Sequence, residues 1–191
     1  GIVEELEERH IDYDRMSVEI IQSSIERIRK IVSRLLEFSR DTDTMALFNL
    51  NDVLETVVSL NRKFFQHEYI QINTDFQPLP EIFGSKDQLE QVLMNIALNA
   101  QAAMPSGGVL AVKTYTEGHF VVAEIADTGI GIAPDDMNKI FDPFFSTKPN
   151  GTGLGLFVSH GIIEAHNGTI DVKSTVNQGT TFTVKLPYQT T

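Results

Sequence analysis

The sequence predicts a two-layer α/β sandwich of the α+β class for residues 45–191, with helices on one face of a mostly antiparallel sheet. Three observations lead there. From Tyr69 onward, segments of alternating apolar and polar side chains recur, with the period of half-buried strands. Segments with apolar residues three and four apart fall between them, with the period of amphipathic helices. Two alternating segments are separated only by Glu117-Gly118, which makes them an antiparallel hairpin.

The first forty residues have a different character. Val18, Ile21, Ile25, Ile28, Val32 and Leu35 alternate spacings of three and four, a heptad-like seam. Ile20, Ile31 and Phe38 widen it on one flank, as in a helix packed in a bundle, while a plain coiled-coil linker has the same pattern. Upstream, Ile2, Val3 and Leu6 read as a helix end, and His10 to Asp14 as a turn. Asp41 to Thr44 is polar and breaks the period, so residues 1–44 form one unit and residues 45–191 another.

Within the second unit, Asn51 can cap a helix running to about Gln66, with Val53, Leu54, Val57, Val58 and Leu60 on its apolar side. Tyr69–Phe76 alternates as a strand. Ser85 with Gln88 is a capping box, and the helix it opens ends near Met104-Pro105. Val109–Thr116 and Phe120–Ala126 form the hairpin. A loop-rich stretch precedes a helix at Leu156–Ala165, which Asn167-Gly168 stops, and strands Thr169–Ser174 and Thr180–Leu186 close the chain.

Composition narrows the functional classes. The chain has no cysteine, which removes disulfides, zinc–thiolate sites and thiol nucleophiles. A formal net charge of −11 argues against nucleic acid, whose binding needs Lys and Arg against phosphates. An acidic protein that takes a polyphosphate needs a local Mg²⁺ and a few well-placed donors. No apolar run reaches the ~20 residues of a membrane span, so no direct membrane contact is expected of this stretch. The lack of cysteine agrees with a cytoplasmic setting, and a membrane anchor elsewhere in the parent protein stays open. The start at Gly1, without Met, reads as a piece of something longer.

Four segments can carry chemistry. Asn95 and Asn99 lie four apart, opposite the apolar side formed by Leu89, Val92, Leu93, Ile96, Ala100 and Ala103. Their amide oxygens are hard ligands suited to Mg²⁺, and equally they are solvated amides on an exposed face. Asp127-Thr128-Gly129-Ile130-Gly131 follows an apolar strand; its carboxylate can accept from a flat ligand's amino group, such as that of adenine, or simply close a turn. Phe141-Asp142-Pro143-Phe144-Phe145-Ser146-Thr147-Lys148 puts aromatics in a loop, to dock a partner or to fill the core, and Lys148 offers a charge for phosphate. Gly151-Thr152-Gly153-Leu154-Gly155-Leu156 opens a helix, where freed N–H groups and the helix dipole favour phosphate. It matches neither the Rossmann fingerprint nor the P-loop.

Taken in order, these four resemble the Bergerat-type ATPases, and among them the sensor histidine kinases. Gln91–Ala100 resembles the N box, Asp127–Gly131 the first G box, Phe141–Lys148 the F box and Gly151–Leu156 the second G box. Gly179-Thr180-Thr181-Phe182 before Leu186-Pro187 is similar to the family's C-terminal signature. Ile28–Arg40 is similar to the second helix of its dimerisation hairpin, which would make residues 1–44 the end of a dimeric four-helix bundle. Pro143–Lys148 and the short lid look most like the nitrogen-regulation subgroup. The resemblance implies ATP and Mg²⁺, with Asp127 and nearby Thr180 at the adenine and Gly129 and Gly131 beside it. It implies Asn99, aided by Asn95, at the metal, and Gly151, Thr152, Gly153, Leu154 and Gly155 around the phosphates. Lys148 approaches the γ-phosphate, and Asn95 and Lys148 are the expected catalytic pair.

The implied reaction is transfer of the γ-phosphoryl group to a histidine, then to a response-regulator receiver domain, in a homodimer joined through the hairpin. None of His10, His67, His119, His160 and His166 fits the family's acceptor pattern, and each is expected to lack an acidic neighbour in helical context, so the acceptor is expected upstream of Gly1. Ala102 and Ala103 stand where some members carry a basic or aromatic side chain, which shifts weight onto Lys148. Two other readings remain. Hydrolytic ATPases of the same fold carry Glu where this chain has Asn95, and an amide cannot take a proton from water. A non-catalytic nucleotide-sensing or dimer-scaffold module would keep the fold without the transfer.

Overall fold

The computed structural model describes Val18, residues 44–148 and residues 151–188. Val18 is helical and half exposed; the rest of the expected hairpin lies outside the described residues. Among the described residues no helix is long and apolar enough to cross a membrane.

The elements run β1 (Met45–Phe48), α1 (Leu50–His67), β2 (Ile70–Phe76), β3 (Ile82–Ser85), α2 (Lys86–Ala103), β4 (Gly108–Glu117) and β5 (Phe120–Asp127). They continue with α3 (Pro134–Met137), α4 (Gly155–Ala165), β6 (Thr169–Thr175) and β7 (Gly179–Pro187). Five strands form the main sheet in the order β2-β4-β5-β7-β6; only the β2–β4 pair is parallel. β1 and β3 pair separately as a small antiparallel ribbon.

Side chains alternate across each strand, and one set faces the helices. Val121, Ala123 and Ile125 of β5 join Phe182, Val184 and Leu186 of β7 in the core. The facing helices supply Leu50, Val53, Leu54 and Val57 from α1, Leu89, Val92, Leu93 and Ile96 from α2, and Ile162 and Ile163 from α4. The four α2 residues are at most 2% exposed, each worth about 1.5–3 kcal/mol of burial. Their burial fixes the rotation of α2, and so decides where Asn95 and Asn99 sit. This is the expected sandwich with helices on one face.

Several elements differ in detail. The cap of α1 is Asn49, whose side chain accepts from the Asn51 N–H; Asn51 turns its own amide to the Gln77 carbonyl, and its oxygen takes the Thr114 hydroxyl. Leu60, expected on the apolar side, is 65% exposed, because that side is already filled by Val57, Val58, Asn61 and Phe65. Tyr69 precedes β2 rather than opening it, with a left-handed backbone at φ 57°. Ala103 is only partly buried, since the end of α2 meets the loop after β5. The Ser85 cap stands, its hydroxyl accepting from Gln88 N–H at 3.3 Å. The ribbon β1–β3 and the single turn α3 carry no periodic signal and were not expected.

Candidate functional site

The flank of α2 that carries Asn95 and Asn99, both partly buried, meets the three loops that the sequence singled out, one at each turn. Near its end, the Ala103 carbonyl accepts from Ile130 N–H at 2.9 Å. A Cβ on Gly129 would stand 2.5 Å from that same carbonyl oxygen, so only glycine lets the first loop approach so closely. One turn back, Asn99 Oδ1 accepts from Lys148 Nζ at 3.1 Å. One turn further, Asn95 Nδ2 donates to the Gly155 carbonyl at 3.3 Å and to the Ser159 hydroxyl at 3.4 Å. The eight steps from residue 95 to residue 103 cover ~12 Å of helix axis at 1.5 Å each.

Asp127 ends β5 opposite Thr180 of β7. Its Oδ1 accepts from Gly129 N–H at 2.8 Å and from Thr180 N–H at 3.2 Å. Oδ2 takes no hydrogen bond from a described residue. Burial pushes the carboxyl above its usual range, against the two backbone bonds that pull it down. The result is a largely buried carboxylate, 8% exposed, clamped at one oxygen and open at the other. Thr180 shares a hydroxyl contact of 2.9 Å with Ser174, which also receives the Ile132 N–H at 2.8 Å.

The aromatics of the Phe141–Lys148 loop divide between the core and solvent. Phe141 and Phe145 pack on the core, while Phe144 is 63% exposed with a left-handed backbone at φ 67°. Its N–H donates to the Gly153 carbonyl at 3.0 Å. Gly153 has φ 68°, and a Cβ there would sit 2.2 Å from the Phe144 carbonyl carbon. Glycine is therefore required twice over, for conformation and for space. Lys148 is exposed by area, yet surrounding protein desolvates its ammonium enough to lower the pKa. Thr152 is buried and Leu154 is 1% exposed beneath the turn, directly before α4. Gly131 sits against the Thr175 carbonyl, at 2.3 Å from a hypothetical Cβ, on the adenine-loop side.

The sequence-predicted residues thus gather along α2, but two are not free as expected. Asn95 and Asn99 do share a face; Asn95 is engaged by α4 and Asn99 by Lys148. Ser159, at 0% exposure, and Ser174 went unnoticed because a lone serine has no motif. The histidines also need one correction. His160 does have an acidic neighbour in helical context, Glu164 one turn on, with Nδ1 to Oε2 at 3.4 Å. Its ring lies 5.1 Å from that of Phe141. His166 is structural: buried, its Nε2 accepts from Ser85 N–H at 2.9 Å, so the proton resides on Nδ1, 2.8 Å from the Ile162 carbonyl. His67 pairs with Glu68 at 3.5 Å on the surface. His10 lies outside the described residues.

A carboxylate between β-strands, an amide-bearing helix, a glycine-rich turn opening another helix and a lid between them define a Bergerat-type nucleotide fold. Residues 84–190 match the family model described as histidine kinase-, DNA gyrase B- and HSP90-like ATPase, and the chain belongs to that family. The sensor histidine kinase ZraS of Escherichia coli (strain K12) is 38% identical over 175 residues, 91% of this chain and 38% of ZraS. The chain therefore spans about two fifths of the length of that relative. Among solved structures, full-length ShkA in complex with AMPPNP is similar with a TM-score of 0.76 and 28% identity, over 93% of this chain and 39% of that one. Histidine kinase ThkA in complex with response regulator protein TrrA is similar with a TM-score of 0.72 and 26% identity, over 89% of this chain and 50% of that one.

Proposed function

We propose that this chain is the ATP-binding catalytic region of a sensor histidine kinase, transferring the γ-phosphoryl group of Mg²⁺-ATP to a histidine on a helical hairpin. One observation carries the reading: three successive turns of α2 contact the adenine-side loop, the lid lysine and the glycine-rich turn. A ligand along this face would have the Asp127 carboxylate at one end and the start of α4 at the other, the order of groups in a nucleoside triphosphate.

The residues present fit that ligand. Asp127 Oδ2 is an unused acceptor for the adenine amino group, with Thr180 beside it. Gly129 and Gly131 let this loop press against the Ala103 and Thr175 carbonyls, which holds it beside the Asp127 carboxylate. Thr152, Gly153, Leu154 and Gly155 bring backbone N–H groups and a helix N-terminus to the phosphates, while the Gly151 N–H closes the turn onto the Lys148 carbonyl at 3.1 Å. Mg²⁺ would be held by Asn99 and Asn95 together with phosphate oxygens, and would neutralise charge on the transferring group. Support for a cation here comes from Lys148, whose ammonium already rests on Asn99 Oδ1. When phosphates arrive, that lysine has a stronger partner and leaves the amide to the metal, so the lid reorders with the ligand.

By the same reading, residues 1–44 belong to the dimerisation hairpin of a homodimer, and the product goes to a receiver domain; the ThkA–TrrA complex supports such a partner. Asn95 supports transfer over hydrolysis, since an amide cannot act as a base toward water. The test is phosphate release by the chain alone at saturating Mg²⁺-ATP. Release should stay at the level of a protein-free control, and steady turnover would favour a hydrolase.

A further inference from the structure

Ser159 is a polar side chain with 0% exposure in the middle of α4. Its hydroxyl accepts from Asn95 Nδ2 at 3.4 Å. The Gly155 carbonyl, one turn earlier on α4, takes the same nitrogen at 3.3 Å. A carbonyl oxygen only accepts, so the amide must turn its nitrogen to α4; the flipped amide would set oxygen against oxygen. Oδ1 is then excluded from these two contacts and takes no hydrogen bond from a described residue. It borders Gly155, where a Cβ would stand 3.3 Å away, so the missing side chain at 155 leaves that oxygen uncovered at the start of α4.

We propose that Ser159 is a positioning residue for the metal: with the Gly155 carbonyl it locks the Asn95 amide so that Oδ1 is offered to Mg²⁺ on the phosphates. The inference rests on the nucleotide reading above. Outer-shell partners of this kind orient a ligand and tune its affinity without touching the metal. The same pair of acceptors also selects an amide at position 95, because a carboxylate there would face the Gly155 carbonyl with no proton between them.

The test uses the whole chain and three variants: Ser159→Ala, Asn95→Ala and the double substitution. The quantity read is the ratio of ATP affinity with Mg²⁺ to that with a chelator, beside adenosine affinity. Ser159→Ala should lower the Mg²⁺-dependent gain by about tenfold, the low end for a lost outer-shell partner, because Gly155 still holds the amide. In the Asn95→Ala background it should have no further effect. In ¹⁵N spectra of the ligand-free chain, the Asn95 side-chain amide protons should exchange faster in Ser159→Ala. Equal losses with and without Mg²⁺, an unchanged loss in the Asn95→Ala background, or unchanged amide exchange would each overturn the positioning role. A parent chain whose ATP affinity ignores Mg²⁺ would instead sink the nucleotide–metal reading beneath it, with the amide exchange still reporting on the geometry.

Discussion

Replacing Asp127 by Asn perturbs the proposed adenine contact and little else. Asn keeps an oxygen where Oδ1 accepts from Gly129 and Thr180, so the two backbone bonds survive. It puts an NH₂ group where Oδ2 was, and two donors then face each other across the adenine contact. A hydrogen bond to a charged acceptor is worth ~1.5–3 kcal/mol, so the dissociation constant for ATP should rise about 10–150-fold. At ATP a hundredfold above the parent's dissociation constant, ligand stabilisation is ~2.7 kcal/mol, and in the variant it drops to ~0.3–1.3 kcal/mol. For a chain of this size the melting shift falls from roughly 5–10 °C to roughly 1–5 °C. Thermal melts with and without Mg²⁺-ATP read this directly. The ligand-free variant should melt no lower than the parent at neutral pH. Burial raises the folded-state pKa of Asp127, so the ionised carboxylate lowers stability above that pKa, a penalty Asn escapes. The advantage of Asn shrinks as pH falls through the raised folded value toward the ordinary one. An Asp127→Asn protein shifted by ATP as much as the parent would refute the adenine assignment.

Asn99→Ala should weaken ATP binding in the presence of Mg²⁺ far more than adenosine binding; equal losses in titration calorimetry would reduce Asn99 to a helix support. Gly153→Ala forces a left-handed backbone onto a Cβ, ~1–2 kcal/mol, and drives it into the Phe144 backbone, so ATP affinity should fall while adenosine affinity holds. Desolvation lowers the Lys148 pKa, so its contribution to ATP binding is present below that lowered value and is lost as pH rises through it, earlier than for an ordinary lysine. Lys148→Met should flatten that alkaline fall, and an unchanged profile would remove Lys148 from the phosphates. Asn95→Glu should not raise phosphate release, because the new carboxylate would meet the Gly155 carbonyl; a clear gain would reopen the hydrolytic reading.

The sheet and helices were legible because they carry long periodic patterns. Gly179–Pro187 alternates along its nine residues, Phe120–Asp127 is an apolar run bounded by a turn, and α2 announces itself through Ser85 and a strict apolar side. The β1–β3 ribbon was not legible, since four residues each are too few to show a period and the two strands stabilise one another. Two asparagines, at 49 and 51, could cap α1; the choice fell to Asn49 because distant Gln77 and Thr114 hold Asn51. For the site, spacing alone put Asn95 and Asn99 on one face, and Asp127 at a strand end. The partners of those amides were invisible. Ser159 is 64 residues from Asn95 in sequence and Lys148 is 49 from Asn99, contacts made by packing rather than by local pattern. The His160–Glu164 pair was local and could have been read from its i,i+4 spacing on a predicted helix.

Transfer itself is the most direct test of the account. The chain is incubated with γ-labelled Mg²⁺-ATP and a separate helical hairpin carrying a histidine followed by an acidic residue, and the label is followed by its acid lability and base stability. The account predicts label on the hairpin histidine, lost when that histidine is changed to Gln, and none on His160 or His67 of the chain. Label on His160, or an unlabelled hairpin beside tightly bound Mg²⁺-ATP, would contradict it.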